Sequence, residues 1–507
     1  MSLDPQRPDL VLGIVGAGVM GRGIAQIAAL AGIRTILYDT RADAAPAARE
    51  HVAAQLAKLA ERGKLAPDAA RAGAERVEVA HVLTQLAPCH VVVEAIVEEL
   101  GAKRELLGHL ERIVAADALL ATNTSSLQVT AIAAPLAHPE RVGGFHFFNP
   151  VPLMKVVEVV DGVVTAPWVG DALAALARRM GHTPVRAQDT PGFIVNHAGR
   201  AYGTEALAIL REGVAPFYEI DRILRDVAGF RMGPFELLDL TGLDVSHPVM
   251  ESIYHQYYEE PRYRPSPITA QRLAAGLLGR KSGGRGFYRY AGGEQEKMAV
   301  APVPGVAVPP VWVSRAELGE LAAALVAKLG ASLDAGAAPA NGSLILVAPL
   351  GRDATSAAAR EGLDPTRTVA IDMFVPPHRR RTLMTTPITL PGYRDAAHAL
   401  CARDGVPVSM IADSSGFVVQ RVLAHVVNIG CDIVQQRICT PEDLDRAVTL
   451  GLGYPQGPLA WGDTLGPQRV LAALDAMLAE TGDPRYRASP WLRRRARLGV
   501  SLLTPES

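Results

Sequence analysis

The chain has 507 residues and a formal net charge of -1, with 51 Lys and Arg set against 52 Asp and Glu, so no charge excess points to nucleic acid or an anionic membrane as the main partner. That length exceeds what one core serves and predicts about two to four domains. No apolar run approaches the roughly 18 residues of a membrane span, the opening MSLDPQRPDL has no apolar signal segment, and Cys89, Cys401, Cys431 and Cys439 show neither CxxC spacing nor a histidine pattern, so a cytoplasmic protein without disulfides or a metal is expected.

Residues 10–38 read as a βαβ unit: an apolar strand at 11–15, a glycine turn, an Ala-rich helix at 20–31 and a second strand at 35–38. The turn is Gly16-Ala17-Gly18-Val19-Met20-Gly21. Gly16 permits the tight turn, Gly18 lets backbone approach a pyrophosphate, and Gly21 lets the helix pack on the strand, leaving the N–H groups of Val19 and Met20 for the anion. The pattern alone is unspecific, but Asp39 closes the second strand 21 residues after Gly18. A carboxylate there accepts hydrogen bonds from ribose hydroxyls and repels a 2'-phosphate, so NAD is expected rather than NADP. The competing reading is a glycine turn of an ordinary α/β domain beside a surface aspartate.

An apolar run at 90–93 ends in Glu94, and another at 119–121 leads into Asn123-Thr124-Ser125-Ser126. Ligands of open parallel sheets gather at the carboxyl ends of strands, which is where Glu94, Ser125 and His146 fall. Ser125 also suits a plain helix cap. His146 stands in Gly143-Gly144-Phe145-His146-Phe147-Phe148-Asn149-Pro150, and Glu158 is the one acid in the apolar run Val156-Val157-Glu158-Val159-Val160. A buried carboxylate needs a partner. That partner is either Lys155 or an arginine, in a structural salt bridge, or His146, in a proton-transfer pair.

From Thr190 the pattern changes to amphipathic helices with short Gly and Pro joints, and this pattern recurs. Gly192-Phe193-Ile194-Val195-Asn196 matches Gly416-Phe417-Val418-Val419-Gln420, and the same offset of 416 - 192 = 224 relates Asp189 to Asp413, Asp221 to Asp445, Gly233-Pro234 to Gly457-Pro458, Asp239 to Asp463 and Gly242 to Gly466. Constant spacing over about 50 residues reads as an internal duplication. Residues 291–310, with Pro302, Pro304, Pro309 and Pro310, read as a linker, and apolar runs at 343–348 and 368–374 as a further α/β segment. No GxGxxG follows the linker, the segment resembling HFFNP is Asp372-Met373-Phe374-Val375-Pro376, and Gln420 replaces Asn196. The second half is therefore expected to be non-catalytic.

The segments GIVGAGVMGRGIAQ, VVVEAIVEE, ATNTSSLQVT, GGFHFFNPVPLMKVVEVV, DTPGFIVN and GRKSGGRGFYRY, in that order over residues 10–290, resemble the (S)-3-hydroxyacyl-CoA dehydrogenases. The resemblance implies that His146 is the general base and that Glu158 orients it, with Ser125 and Asn196 on the reacting part of the substrate. It also implies NAD contacts at Asp39, Glu98, Lys103, Asn149 and Lys281, and Lys64 on the CoA moiety. His197 departs from the family's usual arginine after the asparagine. Helical domains of the family pair into dimers, so the second copy is expected to supply that contact within the chain, as a pseudo-dimer, or to accompany a homodimer; a second substrate site is the alternative. The architecture expected is a Rossmann-like α/β domain at 1–189, an all-α substrate domain at 190–290, a linker at 291–310, a degenerate α/β segment at 311–408 and a second all-α copy at 409–507. Length and two-part plan resemble the roughly 500-residue enzymes of bacterial phenylacetate breakdown acting on 3-hydroxyadipyl-CoA, with 3-hydroxybutyryl-CoA the alternative substrate. Dehydrogenases of similar layout that use a lysine lack the HFFNP and MKVVE segments, and an inactive NAD-binding structural or regulatory protein remains the reading of another class.

Overall fold

The fold was obtained as a computed structural model, which describes residues 3–281 and 283–506. Strand β1 (Val11–Val15) is buried along its whole length, as a strand covered on both faces must be. After the glycine turn come α1 (Val19–Leu30) and β2 (Arg34–Tyr38), parallel to β1. Helices α2 (Ala44–Glu61) and α3 (Pro67–Glu75) lead to the edge strand β3 (Val77–Val79). The chain then crosses to the other side of β1 with β4 (Val91–Glu94), α4 (Leu100–Ile113), β5 (Leu119–Thr122), α5 (Val129–Ala133) and β6 (Val142–Phe147). Strand β7 (Val156–Asp161) runs antiparallel to β6; α6 (Pro167–Arg179) and β8 (Thr183–Gln188) follow, completing the order β3-β2-β1-β4-β5-β6-β7-β8. Because the strand order reverses at β1, a crevice opens at the carboxyl ends of β1 and β4.

The helices then follow: α7 (Val195–Ala198), α8 (Arg200–Arg211), α9 (Phe217–Ala228), α10 (Pro234–Thr241), α11 (Leu243–Gln256) and α12 (Pro267–Ala274). The expected linker opens on a small hairpin, β9 (Tyr290–Ala291) with β10 (Glu294–Gln295), so the element-free stretch is only 296–310. Beyond it lie β11 (Val311–Val313), α13 (Gly319–Lys328), β12 (Leu344–Val347), α14 (Ala354–Glu361), β13 (Thr368–Ile371), β14 (Arg381–Thr385), α15 (Pro391–Cys401) and β15 (Val408–Ile411). These strands pair in sequential order with only β13 and β14 antiparallel, the direction pattern of β4 to β8. Among the described residues the second sheet thus has no counterparts of β1 to β3, the strands that carry the dinucleotide turn. Asp372, whose N–H donates to Thr382 O, and Thr382 occupy the cross-strand positions held by His146 and Glu158 in the first sheet.

The last helices are α16 (Val418–Gln435), α17 (Pro441–Gly451), α18 (Pro458–Leu465), α19 (Pro467–Thr481) and α20 (Pro490–Leu498). Both helical series contain a Pro-Arg-Tyr 3₁₀ turn, at Pro261–Tyr263 and Pro484–Tyr486, then a final helix capped by Ser266 or Ser489. Here the offset has become 223, so a search at constant spacing misses the correspondence. Asp189 accepts from the Val129 and Thr130 N–H groups at the start of α5, and Asp413, 224 residues on, accepts from Ala354 and Thr355 at the start of α14.

Two compact units result, residues 3–197 with Gln436–Leu452, and Ala198–Gln435 with residues 453–506. This cuts across the boundaries expected at 189 and 409, because α17 packs on β7 and β8 rather than on its own helical series. The Gln188 N–H donates to Ile438 O at 2.8 Å on the open edge of β8. The other unit shows the reciprocal bond, with Ala412 N–H donating to Val214 O at 2.9 Å, where 188 + 224 = 412 and 438 - 224 = 214. In that unit α9 packs on β14, and α8 packs along α16. Glu205 of α8, wholly buried, is held there by Arg421 at 2.7 Å, Arg485 at 2.9 Å and the Tyr486 hydroxyl at 2.8 Å. Among the described residues no helix is long and apolar enough to cross a membrane.

Candidate active site

The glycine turn forms the floor of a cleft of about 750 Å³ lined by Gly16, Gly18, Tyr38, Asp39, Ala95 and Ile96. Gly16 has φ +104°, and a Cβ on Gly21 would sit 1.8 Å from Gly16 O, so both positions exclude a side chain. At Gly18 a Cβ would meet nothing within 4 Å, as expected where backbone faces a ligand rather than protein. Helix α1 has no side-chain cap, which leaves the Val19 and Met20 N–H groups for a pyrophosphate. Asp39 accepts from the Ala17 N–H at 2.8 Å and the Arg41 N–H at 3.0 Å. Burial pushes its carboxyl up, but these donors outweigh it and hold the group below the usual carboxylate range, so it is charged at neutral pH. The cradle and the acid fit NAD.

At the carboxyl ends of β4 and β5 lies a hydrogen-bond network centred on two glutamates. Glu94, fully buried, accepts from Lys103 at 2.6 Å, the Thr122 hydroxyl at 2.7 Å and the Ile96 N–H at 2.8 Å. Glu98 accepts from the Thr124 hydroxyl at 2.6 Å, the Ser125 N–H at 2.8 Å and the Ser126 N–H at 3.0 Å, with Lys103 3.1 Å away. Burial opposes the charge on Glu98, but the Lys103 ammonium and these donors bring its carboxyl down to about 2. Two expectations change here. Lys103, implied on the cofactor, has a side chain only 1% exposed and is spent on Glu94 and Glu98, because an ammonium in this dry setting requires both anions. Ser125 is not a helix cap: α5 starts at Val129 with Gln128 in the cap position, and the serine is held by Glu98 instead.

His146 and Glu158 face each other directly across the antiparallel pair β6 and β7. Opposed residues share one face of the sheet, so their side chains meet. The carboxylate can only accept, so the His146 Nδ1–H donates to Glu158 Oε2, at 2.6 Å, leaving Nε2 as the nitrogen for a substrate. Glu158 is fully buried, and its Oε1 accepts from the Ile194 N–H at 2.9 Å and the Val195 N–H at 2.8 Å. Three donors thus compensate the buried charge, and neither Lys155 nor an arginine is among them. Gly192 at φ +76° and Phe193 at φ +47° bend the chain to aim those two N–H groups. The His146 ring also lies 4.4 Å from that of Phe148 and 5.8 Å from that of Phe193.

Asn196 joins this group, its Nδ2 donating to Ser125 O at 3.5 Å, and His197 is fully buried beside it. Asn149 is exposed at the end of β6, and Lys64 is exposed in the turn after α2. Lys281 lies in the other compact unit and is exposed. Sequence reading missed five contributors: Thr122 and Thr124, whose hydroxyls order the serine loop, Asn123, whose Oδ1 accepts from Phe147 N–H at 2.9 Å next to His146, and the backbone N–H groups of Ile194 and Val195. The run Thr122-Asn123-Thr124-Ser125-Ser126 carried a signal for the first two, being rich in short donors opposite Glu94 and Glu98.

Residues 11–190 match the NAD-binding domain of 3-hydroxyacyl-CoA dehydrogenase, and residues 192–290 and 416–501 match that family's C-terminal domain. The 3-hydroxyadipyl-CoA dehydrogenase of Escherichia coli (strain K12) is 36% identical over 96% of this chain and 97% of its own length. A probable 3-hydroxybutyryl-CoA dehydrogenase of Bacillus subtilis (strain 168) is 41% identical over 55% of this chain and 96% of its own. Among solved structures, a 3-hydroxybutyryl-CoA dehydrogenase from Escherichia coli K12 superposes with a TM-score of 0.86 at 35% identity, covering 96% of this chain and 98% of that one. The chain belongs to the NAD-dependent 3-hydroxyacyl-CoA dehydrogenase family.

Proposed function

We propose that the protein oxidises an (S)-3-hydroxyacyl-CoA to the 3-oxoacyl-CoA, with 3-hydroxyadipyl-CoA as its substrate. The observation that carries the reaction is the His146–Glu158 pair at 2.6 Å, in the sheet that bears the dinucleotide cleft. Neutral His146 accepts the substrate hydroxyl proton at Nε2, while Glu158 keeps the ring oriented through Nδ1 and stabilises the imidazolium that forms. NAD, when bound, supplies the hydride acceptor. Ser125 hydrogen-bonds the reacting oxygen and Asn196 an acyl oxygen, both as orienting groups. Asp39 holds the adenosine ribose, and Glu98 fixes the serine loop. Lys64, Asn149 and Lys281 are assigned to CoA and NAD on the resemblance alone.

The second half is read as a duplicated copy of the first half's later strands and helices, non-catalytic and serving as an internal dimer partner. The constant offsets and the reciprocal Gln188–Ile438 and Ala412–Val214 bonds support this. The two-part length shared with the E. coli 3-hydroxyadipyl-CoA enzyme supports the adipyl substrate. A 3-hydroxybutyryl-CoA substrate is the second reading, favoured by the name of the E. coli structure that superposes over 96% of the chain. Measuring kcat/KM for both thioesters with NAD decides between them. The adipyl reading expects a preference of about tenfold or more, worth about 1.4 kcal/mol of transition-state binding to the distal carboxylate. Equal or reversed values favour the butyryl reading, and no NADH formation from either refutes the reaction.

A further inference from the structure

We infer that Gly451, in the helical series that has no catalytic pair of its own, positions the His146–Glu158 pair, an inference that rests on the reaction proposed above. Helix α17 is tied to the first sheet at two places, Gln188 N–H to Ile438 O at 2.8 Å and Arg186 N–H to Asp443 Oδ2 at 3.2 Å, and its start is capped by the Thr440 hydroxyl, which accepts from Asp443 N–H at 3.1 Å. Its last residue, Gly451, then lies against the catalytic loop. A Cβ on Gly451 would stand 3.0 and 3.1 Å from the two γ-methyls of Val195 and 3.5 Å from a γ-methyl of Val156. Val195 is the residue whose N–H reaches Glu158 Oε1 at 2.8 Å, and Val156 opens the strand that carries Glu158.

Nothing in the backbone demands glycine at this position. Gly451 is the last residue of an α-helix and does not have a left-handed φ, and in a helix interior alanine is favoured over glycine by about 1 kcal/mol. The corresponding residue of the first helical series, 451 - 224 = 227, is Val227 of α9, so the same helix position elsewhere in the chain accepts a branched side chain. The missing side chain is therefore a matter of space against Val195. Displacing Val195 moves one of the two N–H groups that set the Glu158 carboxylate, and Glu158 sets the His146 ring. The second half thereby completes the His146–Glu158 pair.

The test installs at 451 the residue found at 227. In Gly451→Val, kcat with acetoacetyl-CoA and NADH is expected to fall about ten- to a hundredfold, the range for sub-ångström to 1 Å misplacement of a catalytic group, while KM for NADH stays within about twofold because the cofactor cleft is untouched. Adding Val195→Ala, which keeps the N–H and removes the methyls in the way, is expected to restore kcat to within about threefold. A kcat near wild type in Gly451→Val, or no recovery in the double variant, overturns the inference. If the valine variant does not fold, Gly451→Ala carries the same test with a loss of about three- to tenfold, and an unchanged kcat there overturns it equally. An inactive wild type refutes the reaction and this inference together, whereas an active wild type with an unaffected variant refutes this inference alone.

Discussion

Replacing Glu158 by glutamine isolates one property, the tautomer of His146. Glu158 Oε1 accepts from two backbone N–H groups at 2.9 and 2.8 Å, and Oε2 accepts from His146 Nδ1 at 2.6 Å. A glutamine must place its oxygen on the backbone pair, because the reverse orientation sets an NH₂ against two buried donors at about 1–3 kcal/mol for each unsatisfied group. The NH₂ then faces Nδ1, which becomes an acceptor, and the ring proton moves to Nε2. A base protonated at its reacting nitrogen cannot take the substrate proton. The corresponding tautomer error in a serine protease triad lowers kcat by about 10⁴, so a loss of about 10³ to 10⁴ is expected here, or about 4 to 5.5 kcal/mol of barrier. Steady-state NADH formation from 3-hydroxybutyryl-CoA and NAD, the direction in which His146 must take the proton, gives kcat, and NADH titration with thermal unfolding shows whether the site is intact. A folded, NADH-binding Glu158→Gln enzyme within about threefold of wild-type kcat refutes the tautomer argument.

His146→Gln is expected to lower kcat by about three orders of magnitude or more with NADH affinity retained, and near-normal turnover removes His146 as the base. Glu205→Ala leaves Arg421 and Arg485 buried without their shared anion, so chemical denaturation should show a loss of about 3–5 kcal/mol; a loss under about 1 kcal/mol means the cluster relaxes or admits water. Glu98 has its carboxyl brought down to about 2 from the ordinary glutamate value, so its contribution to stability is fully present above about pH 4.3 and is lost as pH falls towards 2. Stability measured against pH should therefore fall less steeply in Glu98→Gln than in wild type over that window, and superimposable slopes contradict the assignment.

The local features of this chain were legible because their causes are local. A turn that must reach φ +104° and a helix that must approach within a Cβ's reach of Gly16 O select glycines at fixed spacing. Two residues twelve apart, on strands joined by a short connection, suffice to suggest that His146 and Glu158 meet. Offsets of 224 likewise exposed the two helical series. Spacing carries no information about which sheet a helix covers. The boundary expected at 409 assigned α17 to its own series, whereas the open edge of β8 takes Ile438 and seats α17 on β7 and β8. Lys103 was assigned by resemblance to the cofactor, yet the buried Glu94 and the partly exposed Glu98, both between the end of β4 and the start of α4, claim it, since a charge inside the protein is held by whatever opposite charge the fold brings near.

The sequence by itself determined the dinucleotide turn and the acid that follows it, set by side-chain chemistry at short range, and it offered His146 as one candidate partner of Glu158 and a fixed interval of 224 that reads as a repetition of the helices. Only the tertiary structure decided that Glu158 is held by the Ile194 and Val195 N–H groups, that Glu98 orders the serine loop, and that a helix from the second half rests against Val195. The contacts to Glu158 and Glu98 run through backbone N–H groups, which every residue possesses and no residue type announces, and the α17 contact joins residues 451 - 195 = 256 positions apart.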